Sequence, residues 1–159
     1  MKIGVYAGSF DPVTKGHLDI IKRASNIVDE LVVGILVNAN KISLFEKEEK
    51  LDFLRETTKN IDNIKIEYFD GLLVDFAKKK NSNILIRGLR AVTDFEYELQ
   101  LSQTNKILCS EIETIFLTTN IQYSYLSSSI VKDVAKHGGD ISGFVEPYVE
   151  KKLKEKIKK

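Results

Sequence analysis

The sequence predicts an α/β protein with a doubly wound, five-stranded parallel sheet and helices on both faces. Short β-branched runs alternate with longer amphipathic segments along the chain, and this alternation is typical of βαβ units. The run at 30–37, ELVVGILV, is nearly all apolar, as expected of a strand that is covered on both faces. Only two prolines, Pro12 and Pro147, interrupt the pattern.

The elements are predicted in strict alternation. Apolar or alternating runs indicate strands at 3–6, 30–37, 64–69, 83–87 and 113–117. Apolar residues at helical spacing indicate helices at 16–28, 43–59, 72–80, 93–109, 127–137 and 143–159. Gly138 and Gly139 form the stop signal of the fifth helix.

Length and composition indicate one folded domain over residues 1–159. A chain of 159 residues with 43% apolar residues is long and apolar enough to form one core, which excludes a disordered chain. Lys and Arg number 24 against 23 Asp and Glu, leaving a net charge of +1. Bulk attraction to nucleic acid or to an anionic membrane is therefore not indicated, and any anion site must be built locally.

Cysteine and histidine usage points to the cytoplasm and away from structural zinc. The single cysteine, Cys109, excludes an intramolecular disulfide and fits a reducing compartment. One Cys with two His, His17 and His137, cannot supply a four-ligand zinc set. The chain start has too short an apolar run for a secretory signal, and no run approaches the ~18 residues of a spanning helix.

The segments that follow the predicted strands predict a phosphate site. In open α/β sheets ligands bind outside the carboxyl ends of the strands. The segments after the first, second, fourth and fifth strands are 8–17, 38–41, 87–90 and 118–129, and they are rich in Ser, Thr, Lys, Arg, His and Gly. Cations, hydroxyls and glycine-flanked amides that meet at one edge are suited to phosphate.

His17 is the first candidate residue of this site. It follows Gly16 at the start of the first helix, after a loop that holds Ser9 and Thr14. The free N–H groups and the dipole of a helix start favour anions, and an imidazole in the first turn can donate to the same phosphate. The alternative is a half-buried packing residue, which the polar neighbours make the weaker interpretation.

Arg87 and Arg90 flank Gly88 at the end of the fourth strand. Arginine suits bidentate phosphate recognition. The alternative is an ion pair with an acid of the next helix, Asp94, Glu96 or Glu98. Such a pair would either neutralise the two cations or orient them.

Lys41 and the serines 127–129 complete the candidates. Lysines on loops are usually solvated, so Lys41 alone is a weak indication. Ser127, Ser128 and Ser129 open the fifth helix. One serine suffices as an N-cap, so the other two favour a second anion cradle.

Three motifs resemble a known family over essentially the whole chain. The T-x-G-H form at 14–17, after GSFDP at 8–12, resembles the nucleotidyltransferase superfamily. The run IRGLRAVTDFEYE at 86–98 is far more specific. Together with YSYLSSS at 123–129 it resembles the bacterial phosphopantetheine adenylyltransferases. The resemblance implies a Rossmann-like nucleotidyltransferase fold.

The resemblance also implies roles for individual residues. His17 would stabilise the transition state. ATP would be bound by Ser9, Phe10, His17, Gly88, Leu89, Arg90, Glu98, Tyr123, Ser124, Tyr125, Leu126, Ser127, Ser128 and Ser129. The acceptor, 4′-phosphopantetheine, would be bound by Ser9, Lys41, Leu73 and Arg87. Ser9, Leu73 and Tyr123 stand where the family often has Thr, Met and Trp, and none of these changes removes a charge.

The family further implies Mg²⁺ held mainly through the ATP phosphates, a homohexamer, and feedback inhibition by coenzyme A. The implied reaction joins ATP and 4′-phosphopantetheine into dephospho-coenzyme A and pyrophosphate. Two alternatives remain at this stage. One is a related nucleotidyltransferase that uses another phosphate acceptor, such as nicotinate mononucleotide or glycerol phosphate; the other is a nucleotide-binding module without turnover.

Overall fold

The computed structural model describes residues 1–37 and 42–158, and of residues 92 and 93 the backbone alone. Five strands form the sheet: β1 (Ile3–Gly8), β2 (Glu30–Leu36), β3 (Ile64–Phe69), β4 (Ile84–Leu89) and β5 (Glu113–Thr118). The helices are α1 (Lys15–Ser25), α2 (Lys47–Thr58), α3 (Leu73–Lys79), α4 (Val92–Leu108), α5 (Ser128–Lys136) and α6 (Pro147–Ile157). A short 3₁₀ helix, Ile121–Tyr123, lies between β5 and α5.

All strand pairs are parallel, in the order β3-β2-β1-β4-β5, which confirms the predicted fold class. The central strand β1 aligns Val5 with Val32 of β2 on one side and with Leu85 of β4 on the other. From β1 the chain proceeds outward to β3, and it then returns to place β4 on the other side of β1. The order of strands therefore reverses between β1 and β4, where open α/β sheets place their ligands.

Helices cover both faces of the sheet. The alternate residues of β1 pack on opposite sides: Tyr6 belongs to one buried cluster, and Val5 and Ala7 belong to the other. The Tyr6 cluster contains the apolar faces of α1, α2 and α6, and the second cluster contains that of α3. This double cover explains why β2 is apolar at nearly every position.

Helix α1 begins at its N-cap, Thr14, and buries Ile20, Ile21 and Ala24. It ends at Ser25, three residues before the predicted end at 28. The side-chain amide of Asn63 donates to the carbonyls of Ser25 and Val28. The chain turns there towards β2, so the apolar residues at 27 and 28 lie outside the helix.

Helix α2 begins at Lys47, four residues after the predicted start at 43. The preceding backbone N–H groups of Leu44 and Phe45 donate to the Asp11 carboxylate, at 3.0 and 2.9 Å, instead of starting a helix. Phe53 and Leu54 anchor this helix in the core. Helix α6 also starts later than its predicted 143, because Pro147 occupies its first turn.

The remaining bounds differ from the predicted ones by two residues or fewer. β4 continues to Leu89 because its last three residues pair with 116–118 of β5, so Arg87 and Gly88 lie in the strand.

None of the helices in residues 1–37 and 42–158 combines the length and the apolar character needed to cross a bilayer.

Candidate active site

Two connected cavities open at the carboxyl edge of the sheet. The first encloses about 350 Å³ beside the ends of β1 and β4, and its lining includes Ser9, His17, Arg87, Arg90, Glu98 and Ser128. The second encloses about 820 Å³ and shares Ser9, His17 and Ser128 with the first. Residues from three of the four predicted segments, 8–17, 87–90 and 118–129, therefore meet around His17, joined by Glu98 of α4, and the fourth segment, 38–41, lies outside the described residues.

The His17 ring is held by its own helix start. The backbone N–H of Thr14 donates to Nδ1 of His17 at 3.0 Å, and the Thr14 hydroxyl lies 3.1 Å from the same nitrogen. The backbone N–H of His17 donates in return to the Thr14 hydroxyl at 3.3 Å. Burial, and next the positive charge of Arg90, lower the pKa of His17 from 6.5 to about 4. The imidazole is therefore neutral at physiological pH.

Phe10 and Asp11 fix the loop between β1 and α1. The Phe10 ring is buried edge-on between Tyr6 and His17, with ring centroids 5.7 and 5.1 Å apart. Phe10 has φ of 47°, and the Asp11–Pro12 peptide is cis. Burial acts to raise the pKa of Asp11, but hydrogen bonds from Leu44 and Lys132 outweigh it and hold this pKa below its usual value. Phe10 also contributes to the lining of the second cavity.

Arg87 forms the ion pair that was the alternative interpretation. Its Nε and Nη2 donate to the two carboxylate oxygens of Glu98, both at 2.7 Å, and Nη1 donates to the carbonyl of Ala7 at 2.8 Å. Burial acts against the charge, but the Glu98 carboxylate outweighs it and raises the pKa of Arg87. Glu98 therefore orients Arg87, and two of the five guanidinium N–H donors remain for a ligand.

Arg90 is oriented in the same way by a different acid. Its Nε donates to Asp94 at 2.8 Å, and its Nη1 donates to the carbonyl of Leu126 at 2.9 Å. The second bond ties the end of β4 to the segment before α5. Arg90 and Arg87 thus line one cleft with their positions fixed by acids of α4.

The three serines at the start of α5 have three different environments. Ser127 is the N-cap, and its hydroxyl accepts from the backbone N–H of Ile130 at 3.1 Å. The Ser128 hydroxyl donates to the carbonyl of Pro12 at 2.7 Å, and so joins α5 to the first loop. Ser129 lines the second cavity. The capping interpretation is correct for Ser127, and the helix start faces both cavities.

The segment before α5 contributes unequally to the cleft. Leu126 is buried and lines it, and the Cβ of Tyr123 lies 3.6 Å from the position that a Cβ on Gly16 would occupy. Ser124 donates to the carbonyl of Ile121, and Tyr125 is 53% exposed beside Phe144. Neither Ser124 nor Tyr125 lines the two cavities.

Of four further predicted residues, one lines a cavity, two do not, and one lies outside the described residues. Gly88 lines the first cavity, and a Cβ at this position would lie 3.1 Å from Ile20 of α1. Leu89, at the end of β4, and Leu73, at the start of α3, are half-buried and line neither cavity. Lys41 lies outside the described residues.

Sequence reasoning missed a polar cluster in the second cavity. Lys132 of α5 donates to Asp11 at 2.9 Å, and the buried Lys50 of α2 donates to the Ser43 hydroxyl. Burial lowers the pKa of Lys50. These residues lie far apart along the chain, so no local pattern points to them.

The arrangement can bind and orient anions without a dedicated metal cage. Within residues 1–37 and 42–158, no three His, Cys, Asp or Glu side chains are grouped so as to hold a metal ion. The cleft instead offers a neutral imidazole, two fixed guanidinium groups and the start of α5. Such preorganised donors stabilise charge that develops on phosphate oxygens.

The sequence of this chain is similar to those of known proteins. The cytidylyltransferase-like family profile matches residues 5–134. A phosphopantetheine adenylyltransferase from Lachnoclostridium phytofermentans is 61% identical over 145 residues, covering 91% of this chain and 89% of that protein. One from Caldanaerobacter subterraneus subsp. tengcongensis is 52% identical over 159 residues, covering 100% and 99%.

The fold is also found among solved structures. A candidate nicotinate-nucleotide adenylyltransferase from Vibrio parahaemolyticus superposes with a TM-score of 0.70 at 15% identity, covering 99% of this chain and 95% of that chain. At this identity the likeness concerns the fold alone.

The low pKa of His17 makes a testable contribution to stability. The pKa of His17 is 6.5 in the unfolded chain and about 4 in the folded chain. Between these values the unfolded state binds more protons, so this contribution is present above pH 6.5 and is lost as the pH falls towards 4. The His17→Gln variant lacks the ionisation. From pH 7 to pH 5, we expect the wild type to lose roughly 1–2 kcal/mol more unfolding free energy than His17→Gln.

Urea denaturation of both proteins at several pH values measures this difference. Other groups, such as Asp11, titrate in both proteins and cancel in the comparison. Parallel pH dependences of the two proteins would show that His17 titrates normally in the fold.

Proposed function

The chain belongs to the cytidylyltransferase-like family and, within it, to the phosphopantetheine adenylyltransferases, and from this premise we propose how its residues perform adenylyl transfer. The enzyme transfers the adenylyl group of ATP to 4′-phosphopantetheine in coenzyme A biosynthesis. The products are dephospho-coenzyme A and pyrophosphate. The observation that carries this function is the 52% identity over all 159 residues, together with the motif-bearing residues that meet around His17.

The reaction needs positioning and charge stabilisation more than a base. An oxygen of the phosphopantetheine phosphate attacks the α-phosphorus of ATP, and the bond from that phosphorus to the bridging oxygen of the β-phosphate breaks. The second pKa of a phosphate monoester is about 6, so the nucleophile is already largely dianionic at neutral pH. Two repelling anions must be held in line while charge develops on the α-phosphate and on the leaving pyrophosphate.

ATP is proposed to occupy the first cleft and the start of α5. Its direct contacts would come from Ser9, Phe10, His17, the Gly88-Leu89-Arg90 stretch and residues 123–129. The lining of the cleft by Ser9, His17, Gly88, Arg90 and Ser127 supports this assignment. Glu98 is fully engaged with Arg87, so we propose that it acts on the substrates through Arg87.

The acceptor phosphate is proposed to bind between Arg87 and the strand ends, with Ser9, Lys41 and Leu73 as its other contacts. Arg87 supports this, because two of its N–H donors remain after its bonds to Glu98 and Ala7. Its guanidinium is already oriented, so little rotational freedom is lost when a phosphate binds.

Magnesium is proposed to accompany ATP. The hydroxyl-rich and cation-rich lining fits a metal that is held mainly by phosphate oxygens, which is the usual mode for Mg²⁺. When bound, the ion would neutralise charge on the phosphates. The carboxylates of Glu98 and Asp11 in the two linings are paired with Arg87 and Lys132, so the hydroxyls of Ser9 and Ser128, which line both cavities, would be the additional oxygen ligands.

We propose further that the enzyme works in the cytoplasm as a homohexamer and that coenzyme A inhibits it. The buried free thiol of Cys109 fits a reducing compartment. Coenzyme A carries both the phosphopantetheine and the adenylate parts of the product, so it can compete with both substrates.

The surface of α4 supports self-association. None of the apolar side chains that the structure describes on α4 is fully buried. Tyr97 and Ile107 are 62% and 87% exposed, which is typical of a surface that binds another protein.

The acceptor is tested directly by pyrophosphate release. With ATP and Mg²⁺ present, we expect release on addition of phosphopantetheine. Nicotinate mononucleotide and glycerol 3-phosphate, the acceptors of related enzymes, should give none. Release with either of these and none with phosphopantetheine would reassign the acceptor, and ATP binding without any release would make the chain a binding module.

His17→Ala should lower kcat and kcat/KM together. The imidazole donor is expected to bond most strongly to the charge that builds in the transition state, and loss of one such donor costs ~10²–10³ in rate. The ATP KM should change little, since Arg90 and the α5 start remain. Steady-state kinetics and the thermal midpoint of the same preparation check this. A lower midpoint with kcat within about threefold of the wild type would identify a packing histidine.

Glu98→Gln should act mainly on the acceptor. The neutral amide keeps one hydrogen bond to Arg87 and loses the charge-assisted bidentate pair. We expect the KM for phosphopantetheine to rise about tenfold, as for loss of a bond of about 1.4 kcal/mol. Asp94→Asn, which weakens the ion pair of Arg90, is the matched control and should raise the KM for ATP instead. If both variants raised the KM values of both substrates equally, the assignment of Arg87 to the acceptor and of Arg90 to ATP would be contradicted.

The α4 surface is tested by a charge placed within it. Ile107→Glu should shift the protein from hexamer towards smaller species in analytical ultracentrifugation, because a buried carboxylate without a partner opposes association. Ile27→Glu, which places the same charge on a half-exposed apolar residue elsewhere, is the control and should stay hexameric. A monomeric wild type, or a hexameric Ile107→Glu, would rule out this surface.

A further inference from the structure

Helix α1 begins with a reciprocal pair of hydrogen bonds between Thr14 and His17. In the common form of this capping box, a Glu or Gln three residues after the N-cap accepts from the N-cap backbone N–H. Here the imidazole of His17 takes that place. The candidate catalytic side chain, His17, is therefore also one of the two members of the capping box.

The donors and acceptors of this pair fix the position of one proton. The backbone N–H of Thr14 can only donate, and it points at Nδ1 of His17 from 3.0 Å. Nδ1 must therefore be unprotonated, and the single proton of the neutral ring lies on Nε2. The Thr14 hydroxyl accepts from the backbone N–H of His17, so its own proton is available to Nδ1 at 3.1 Å.

Packing holds the ring in this orientation. Thr14 is 2% exposed, and the Phe10 ring lies edge-on to the imidazole with centroids 5.1 Å apart. His17 lines both cavities, and with Nδ1 bonded to Thr14, Nε2 is its one remaining polar atom. The titratable and charged groups around these cavities are Tyr6, Arg87, Arg90 and Glu98 in the first, and Asp11, Glu46, Lys47, Lys50, Tyr68 and Lys132 in the second.

We propose that Thr14 is a positioning residue of adenylyl transfer: its backbone N–H and hydroxyl hold His17 as the Nε2–H tautomer, a neutral donor turned towards the reacting phosphate. The wrong tautomer would present a lone pair to a phosphate oxygen and would repel it. The first half of this proposal concerns the free protein alone. The second half rests on the proposed function.

The tautomer is measured without any substrate. In ¹⁵N-labelled protein, two-bond ¹H–¹⁵N correlation spectra distinguish protonated from unprotonated ring nitrogens. Between pH 8 and pH 6, we expect His17 to show an unprotonated Nδ1 and a protonated Nε2. A protonated Nδ1, alone or with Nε2, would overturn the proposal whether or not the chain transfers adenylate.

The role in catalysis is measured with Thr14→Val and Thr14→Ser. Valine keeps the shape and loses the hydroxyl, and serine keeps the hydroxyl. We expect Thr14→Val to lower kcat about tenfold, by analogy with the loss of hydrogen-bond partners that orient metal-bound histidines, while the KM for ATP changes less than about twofold. Thr14→Ser should restore most of kcat.

A double-mutant cycle separates positioning from general stability. In a His17→Ala background Thr14→Val should leave kcat unchanged, because Thr14 acts through the imidazole. An equal loss of kcat in both backgrounds, or a lower thermal midpoint with unchanged kcat in the wild-type background, would show that Thr14 is only a helix cap. If no variant and no wild type releases pyrophosphate, the proposed function fails while the tautomer result still stands.

Discussion

Cations that are gathered for two anionic substrates must be held in place before those substrates arrive. In this protein, acids close to the cleft do so: Glu98 holds Arg87, Asp94 holds Arg90, and Asp11 holds Lys132. Each pair lowers the repulsion among the cations of the free protein and fixes the donor geometry. The rest of the site depends on this balance, because unpaired cations at this density would destabilise the fold.

His17 differs from these cations in being neutral. Burial and the nearby Arg90 disfavour its charged form, and the Thr14 bonds give it one defined donor nitrogen. The guanidinium groups can attract phosphate over a distance. In the proposed mechanism the imidazole adds a directed hydrogen bond that requires no proton transfer, which suits a reaction whose nucleophile is already ionised.

The fold was largely predictable, because its signal is local. The apolar run of β2 and the helical spacing of α1 each follow from neighbouring residues. The late start of α2 was not predictable, because the N–H groups of Leu44 and Phe45 bond to Asp11, which lies 33 and 34 residues away. The Lys132–Asp11 pair could not be predicted for the same reason, because its members are 121 positions apart. From the sequence, three acids of α4 could pair with Arg87. The structure shows that Glu98 is the one that does, because α4 is oriented so that Glu98 faces Arg87.

The central claim is that adenylyl transfer proceeds here without a protein base, with His17 as a neutral donor. The most direct test is the pH dependence of the single-turnover rate for the wild type and for His17→Gln, with both substrates saturating. We expect both proteins to show the same acidic limb, set by the acceptor phosphate near its second pKa of about 6, and a constant ratio between their rates. A limb that is present in the wild type and absent in His17→Gln would show that His17 exchanges a proton during the reaction, and would contradict the claim.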